Sequence, residues 1–173
     1  MITGVFFSEL GTDLLHQFAN ADPDSEKLAG FLQIKENWSK KEFLESKKKL
    51  LTHTYRIEIS EIDLEILKVL LTQKKSFLTQ LYISPSLMEQ ESFTELLRSI
   101  LHLADELEKR EDLSSLPESD YRHLAKDAER VYRHLVVHWL GYMLYLKEHY
   151  PYLFSLAVRT NPFDANASAV VSG

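Results

Sequence analysis

The chain has 173 residues, 45% hydrophobic and 27% charged, enough for one domain that buries most of its apolar surface with no disulfide or structural metal. It contains no Cys, which excludes disulfides, zinc-thiolate sites, iron–sulfur clusters and cysteine nucleophiles together. A formal charge of −6 argues against nucleic acid as a main partner, and only five Gly and five Pro disfavour a turn-rich β fold.

Helix signals then recur along the chain. Val5 to Ala19 places Phe6, Leu10, Leu14 (or Leu15) and Phe18 on one stripe. The opening MITGVFFSELGTDLL has no basic region ahead of its apolar residues and carries Glu9 and Asp13, so it does not read as a secretory signal. After the turn ANADPDSE, Asp24 or Ser25 caps a short helix that directs Leu28, Phe31, Leu32 and Trp38 inward. Ser39 with Glu42 fits a capping box before a third helix, Lys40 to about His53.

The segment YRIEIS alternates like a strand but is too short to carry a sheet, so it is predicted to be an extended linker. Ser60 and Asp63 open a helix that runs to Leu81 and ends at Ser84-Pro85. Ser92 with Glu95 and Ser115 with Glu118 repeat the capping-box pattern, starting a helix from Phe93 to Arg110 and a long helix over residues 116–150. Pro151 breaks that helix, PYLFSLAVR forms a short terminal one, and the small residues after Asp164 read as a mobile tail over 165–173. The expectation is one all-α domain over 1–164, an irregular bundle of six or seven helices around the long one. No run of about 18 apolar residues spans a bilayer, and a cytoplasmic location is expected.

The long helix carries the chemistry worth testing. His134 and His138, four apart, share a face, with Arg130, Asp127 and His123 continuing it. HLVVH lacks the Glu beside the first His that a zinc hydrolase helix uses as base. A hemerythrin-like pattern is approached by His53, by His102 with Glu106, and by His134 with His138. It fails because Phe154 stands five residues after His149 where that family has Asp. A ferritin-like site would need Glu plus ExxH pairs, and the nearest matches are Asp13 with His16 and Asp120 with His123. The candidate metal ligands are therefore His134, His138, His102 and Glu106, for a divalent transition metal.

Trp139, Tyr142, Tyr145 and Tyr152 suggest core bulk, a contact surface or the lining of an apolar ligand pocket, and Gly141 among them the close approach of another helix or a pocket wall. Lys40 to Lys49 belongs to a stretch with six Lys against three Glu, a solvated face that also suits peripheral contact with anionic membrane. No nucleophile elbow or phosphate loop is present, so no catalytic residue is assigned and an enzyme is not expected.

The block Ser92 to Asp164, with SFTELLRSILHLADELEKR, LPESDYRHL and HYPYLFSLAVRTNPFD, resembles a helical domain of uncharacterised prokaryotic proteins, joined in some relatives to a short potassium-channel-like membrane segment. The resemblance implies a cytosolic domain that packs on or regulates another component. These residues hold no selectivity-filter sequence TVGYG, so the polypeptide is not itself a channel. The leading expectation is a non-enzymatic interaction or regulatory domain, self-associating or bound to a protein partner and without a cofactor. The alternative is a metal- or small-ligand-binding bundle using the His and carboxylate cluster.

Overall fold

A computed structural model describes residues 2–87 and 90–172. Its elements are α1 (Ile2–Phe6), a π-helical turn (Phe7–Gly11), α2 (Thr12–Asn20), α3 (Ser25–Phe31), α4 (Lys40–Thr52), α5 (Leu64–Tyr82), α6 (Glu91–Glu108), α7 (Glu118–His149) and α8 (Pro151–Arg159). The π turn joins α1 to α2, so the described residues form seven helical rods, and no strand occurs among them. The bundle is all-α, as the sequence implies. None of its helices is long and apolar enough to cross a membrane.

The first rod shows how local sequence and packing interact. A π turn accommodates an extra residue within a helix, which keeps Phe6 before it, Phe7 and Leu10 within it, and Leu14, Leu15 and Phe18 after it, all buried. Phe7 stacks on Tyr142 of α7 at 5.2 Å between ring centroids, and Phe18 meets Tyr132 edge-on at 6.1 Å. Gly11 closes the turn where a Cβ would lie 2.6 Å from the Phe6 ring and 2.7 Å from the Phe7 ring.

Asp22, buried in the following turn, accepts a hydrogen bond from the Asp24 N–H at 2.8 Å and another from the Tyr132 hydroxyl at 2.9 Å. The turn is thereby fastened to the middle of α7. The Ser39–Glu42 capping box forms as expected at the start of α4. The linker after α4 is extended without being a strand. Its Ile57 N–H donates to Glu129 Oε1 at 3.2 Å, and the Glu58 N–H donates to the Ala21 carbonyl at 2.8 Å. Asp63 caps α5 by accepting from the Ile66 N–H at 3.0 Å.

Two expected boxes do not form. The helix α6 begins at Glu91, which puts Ser92 inside the first turn, and Glu95 pairs with Arg98 instead. Ser115 donates to Asp112 Oδ2 at 2.7 Å, and Pro117 occupies the cap position of α7. The long helix ends at His149, and Pro151 takes the first position of α8, where its missing N–H costs nothing. Gly141 is not at a helix crossing, since a Cβ there would meet nothing within 4 Å. Beyond α8 the chain turns back, with Asn161 Nδ2 donating to the Leu32 carbonyl at 2.8 Å and Phe163 packing on Trp139.

Gly11 gives a test of this packing, because Gly→Ala inside a helix ordinarily stabilises by about 1 kcal/mol through propensity. Here Phe6 and Phe7 are fully packed and cannot yield. Gly11→Ala is expected to lower the unfolding free energy by roughly 1–3 kcal/mol, the range for overpacked cores, in urea titration. A neutral or stabilising effect would show that the rings move aside.

Candidate functional site: a His and carboxylate cluster between α6 and α7

The helices α6 and α7 run antiparallel, and their cross-contacts step in opposite directions along the two chains. Arg110 meets Asp120, Glu106 meets His123, His102 meets Asp127 and Phe93 meets His138. Both helices are apolar on their inner faces, with Leu96, Leu97, Ile100, Leu103 and Leu107 on α6 and Leu124, Ala128, Val131 and Leu135 on α7 all buried. At one edge of the seam each helix contributes an i, i+4 pair, His102 with Glu106 and His123 with Asp127. Because the helices are antiparallel, each histidine faces the carboxylate of the other pair.

The resulting ring of atoms is tight. His102 Nε2 lies 3.5 Å from Glu106 Oε1 and 3.4 Å from Asp127 Oδ2, and His123 Nε2 lies 3.3 Å from each of the same two oxygens. One ligand atom each from His102, Glu106 and Asp127 falls within 4.8 Å of the other two. Ligands held tetrahedrally by bonds of about 2.1 Å stand about 3.4 Å apart, which the His102–Glu106 and His102–Asp127 spacings match, while His123 meets the same two carboxylates from outside that three-residue group.

Asp127 decides the reading of the cluster. Its side chain is 4% exposed, and Oδ2 is buried with no hydrogen-bond partner despite the two nearby imidazoles. A buried carboxylate oxygen without a partner costs on the order of 1–3 kcal/mol or more, and an atom set this way between two imidazole nitrogens has the chemistry of a metal ligand. The remaining oxygens are held from outside. Arg130 Nη1 donates to Asp127 Oδ1 at 2.9 Å, and Arg110 Nη1 donates to Glu106 Oε2 at 2.7 Å. Arg110 is itself fixed by a bidentate pair with Asp120, both bonds 2.7 Å. This is the outer support that orients ligating carboxylates in metal sites.

The electrostatics follow the same contacts. Arg110 foremost, aided by His123, holds the Glu106 carboxyl below the usual carboxylate range, and Arg110 does the same for Asp120. The histidine side of the cluster opens to solvent, His102 being 48% and His123 50% exposed, which leaves room for water or another ligand.

The four ligands expected from the sequence divide between two places. His102 and Glu106 are together, but their partners on α7 are His123 and Asp127. His134 lies seven residues beyond Asp127 and His138 eleven, about 10 and 16 Å along the helix, too far for one ion. Both line a groove beside α4 and the linker, and burial pushes both imidazoles below the ordinary histidine range. Of the aromatic set, Trp139 is buried in the core, and Tyr142 stacks on Phe7, so neither is a free surface. Tyr145 packs beside His149, and Tyr152 is 73% exposed. The pairing of His123 with Asp127 was signalled by its i, i+4 spacing, the same spacing as His102 with Glu106.

Comparison with known proteins places the chain in a family. The model of the family described as "Uncharacterized protein MJ1433, C-terminal helical domain" matches residues 1–159. The chain belongs to that family. The match extends far beyond the Ser92–Asp164 block that carried the resemblance, and the channel-like link finds no support in it. The chain is similar to the uncharacterized protein MJ1433 of Methanocaldococcus jannaschii, 46% identical over 171 residues, covering 99% of this chain and 68% of that protein. No solved structure matches.

The support from Arg110 is open to measurement through Asp120. A carboxyl with a lowered folded-state value contributes stability above its unfolded value, near 3.8 for Asp, and loses it as pH falls through the folded one. Asp120→Asn is expected to cost about 1–2 kcal/mol at pH 7, the range for charge-assisted hydrogen bonds, in chemical denaturation. The difference from the parent should shrink below pH 4. A loss independent of pH would mean that Asp120 acts by shape alone.

Proposed function

We propose that this chain is a metal-binding helical domain whose ion is held by His102, Glu106 and Asp127, with His123 as fourth ligand. The observation that carries this reading is the buried, unpartnered Asp127 Oδ2 facing two imidazole nitrogens at 3.3 and 3.4 Å. Two imidazoles and two carboxylates suit zinc, iron, manganese or cobalt in the divalent state. They do not suit magnesium or calcium, which prefer all-oxygen sites, or copper(I), which prefers sulfur. An ion there, open on the histidine side, supplies Lewis acidity to whatever occupies its free positions.

Untagged protein titrated calorimetrically with zinc, manganese and cobalt should bind one ion per chain. Asp127→Asn should weaken binding by at least about a hundredfold, since loss of an outer-shell partner alone costs roughly 10- to 100-fold. His134→Ala should leave it unchanged. At a hundred times its dissociation constant the ion should raise the unfolding free energy by about 2.7 kcal/mol. Absence of stoichiometric binding, or full binding by Asp127→Asn, sinks the proposal and leaves the cluster as a quartet of ion pairs.

A second reading, self-association, is favoured by the surface of α8. Tyr150, Tyr152, Leu153 and Leu156 are 42, 73, 39 and 43% exposed, a cluster of large apolar groups just past the break at Pro151. Such patches mark contact surfaces in soluble proteins. Sedimentation should show a dimer that Tyr152→Ser with Leu156→Ser converts to monomer. A monomer in the parent protein at high micromolar concentration rules it out.

A further inference from the structure

A groove of about 890 Å³ runs along α7 on the side facing α4 and the linker, and its charge is opposite to that of the whole chain. Lys47 enters from α4, and Lys126, Arg130 and Arg133 stand along α7, against a single carboxylate, Glu129. Glu129 is already engaged through Oε1 with the Ile57 N–H. Among the described residues, Lys47, Lys126 and Arg133 have no carboxylate within 4.0 Å, whereas Arg130 is paired with Asp127. Three uncompensated cations thus converge on one concavity of a protein whose formal charge is −6.

Holding like charges together without counterions is unfavourable, and a concave surface focuses their field on whatever enters it. Here Lys47 comes from α4 and Lys126 and Arg133 from α7, all exposed along a groove that is also lined by Leu51, Val137 and Gly141. His53 adds an Nε2 atom that is buried without a hydrogen-bond partner. His134 and His138, whose imidazoles burial pushes below the ordinary histidine range, add ring nitrogens that can donate or accept.

We propose that this groove binds a small phosphate-bearing molecule with an apolar or aromatic portion, the phosphate between Lys126 and Arg133 and the apolar portion toward Val137 and Gly141, where Lys47 borders the groove. Lys and Arg side chains are the usual partners of phosphate oxygens. The volume is in the range of small-molecule sites. The negative charge on the rest of the protein disfavours a long polyanion, which would extend past the groove. The site is separate from the proposed metal cluster, although Arg130 borders both.

The test uses the full chain in low salt with chelator present, so that no metal contributes to phosphate binding. Titration with adenosine 5′-monophosphate, followed by amide chemical shifts, should give saturable binding with perturbations at Arg133, Val137 and Gly141. Adenosine, which lacks the phosphate, should bind far more weakly. Lys126→Glu and Arg133→Glu should each weaken binding by about tenfold or more, the effect of losing one favourable charge contact. Gly141→Trp removes no charge and enters open space, so it should block the site by volume while leaving the thermal midpoint intact. His102→Ala should have no effect, which keeps this result independent of the metal reading. Absence of saturable binding at millimolar nucleotide, equal binding of adenosine, or undiminished binding by Arg133→Glu would each overturn the proposal. So would a response to anionic phospholipid vesicles with none to the nucleotide.

Discussion

The antiparallel seam between α6 and α7 sets the register on which everything else depends. Its cross-contacts fix one relative height, and a slip by one turn would move them by about 5.4 Å. At the present height His102 faces Asp127 and Glu106 faces His123. The Arg110–Asp120 pair at the closed end of the hairpin holds the same alignment from outside the core. Apolar burial supplies the energy of the seam, and polar geometry reads out its register. The cluster could not be assembled by either helix alone, since an i, i+4 pair supplies only two ligands.

Much of the architecture is legible in the residues, and the reasons are physical. Long stripes at helical spacing, as on α6, can be buried in only one way. Pro151 cannot continue a helix, and Asp63 and Ser39 cap where their spacing says they should. What fails is what depends on competition between neighbours. Ser115 has the right spacing to cap α7, yet Asp112 offers its hydroxyl a charged acceptor. Gly141 fits a helix contact or a pocket wall equally well by sequence, and only the packing puts it beside an open groove.

The ligand set illustrates the same boundary. His102 with Glu106 is visible as a pair on one helix face, and so is His134 with His138. Choosing which pair on α7 meets the pair on α6 requires the register across two helices, fixed by side-chain volumes that no single-helix pattern contains. The connection from Glu108 to Glu118 is short enough to force neighbouring antiparallel helices. It would have placed residues near 123 and 127, and not 134 and 138, opposite the end of α6. Charge was misleading in a similar way. A net value of −6 describes the whole surface, whereas the groove concentrates cations that α4 and α7 carry separately in the sequence.

The π turn at Phe7–Gly11 has a consequence for how two rods of unequal count can lie side by side. Phe7 is matched to Tyr142 and Phe18 to Tyr132, so eleven residues of the first rod run alongside ten residues of α7. A regular helix would overshoot by about 1.5 Å and turn its next aromatic some 100° away from its mate. The wide turn absorbs the surplus residue, and the two helices behave like the scales of a vernier, brought back into coincidence at both ends by one offset division. Gly11 is the place where that division is cut, so a residue with no side chain keeps the two scales in step.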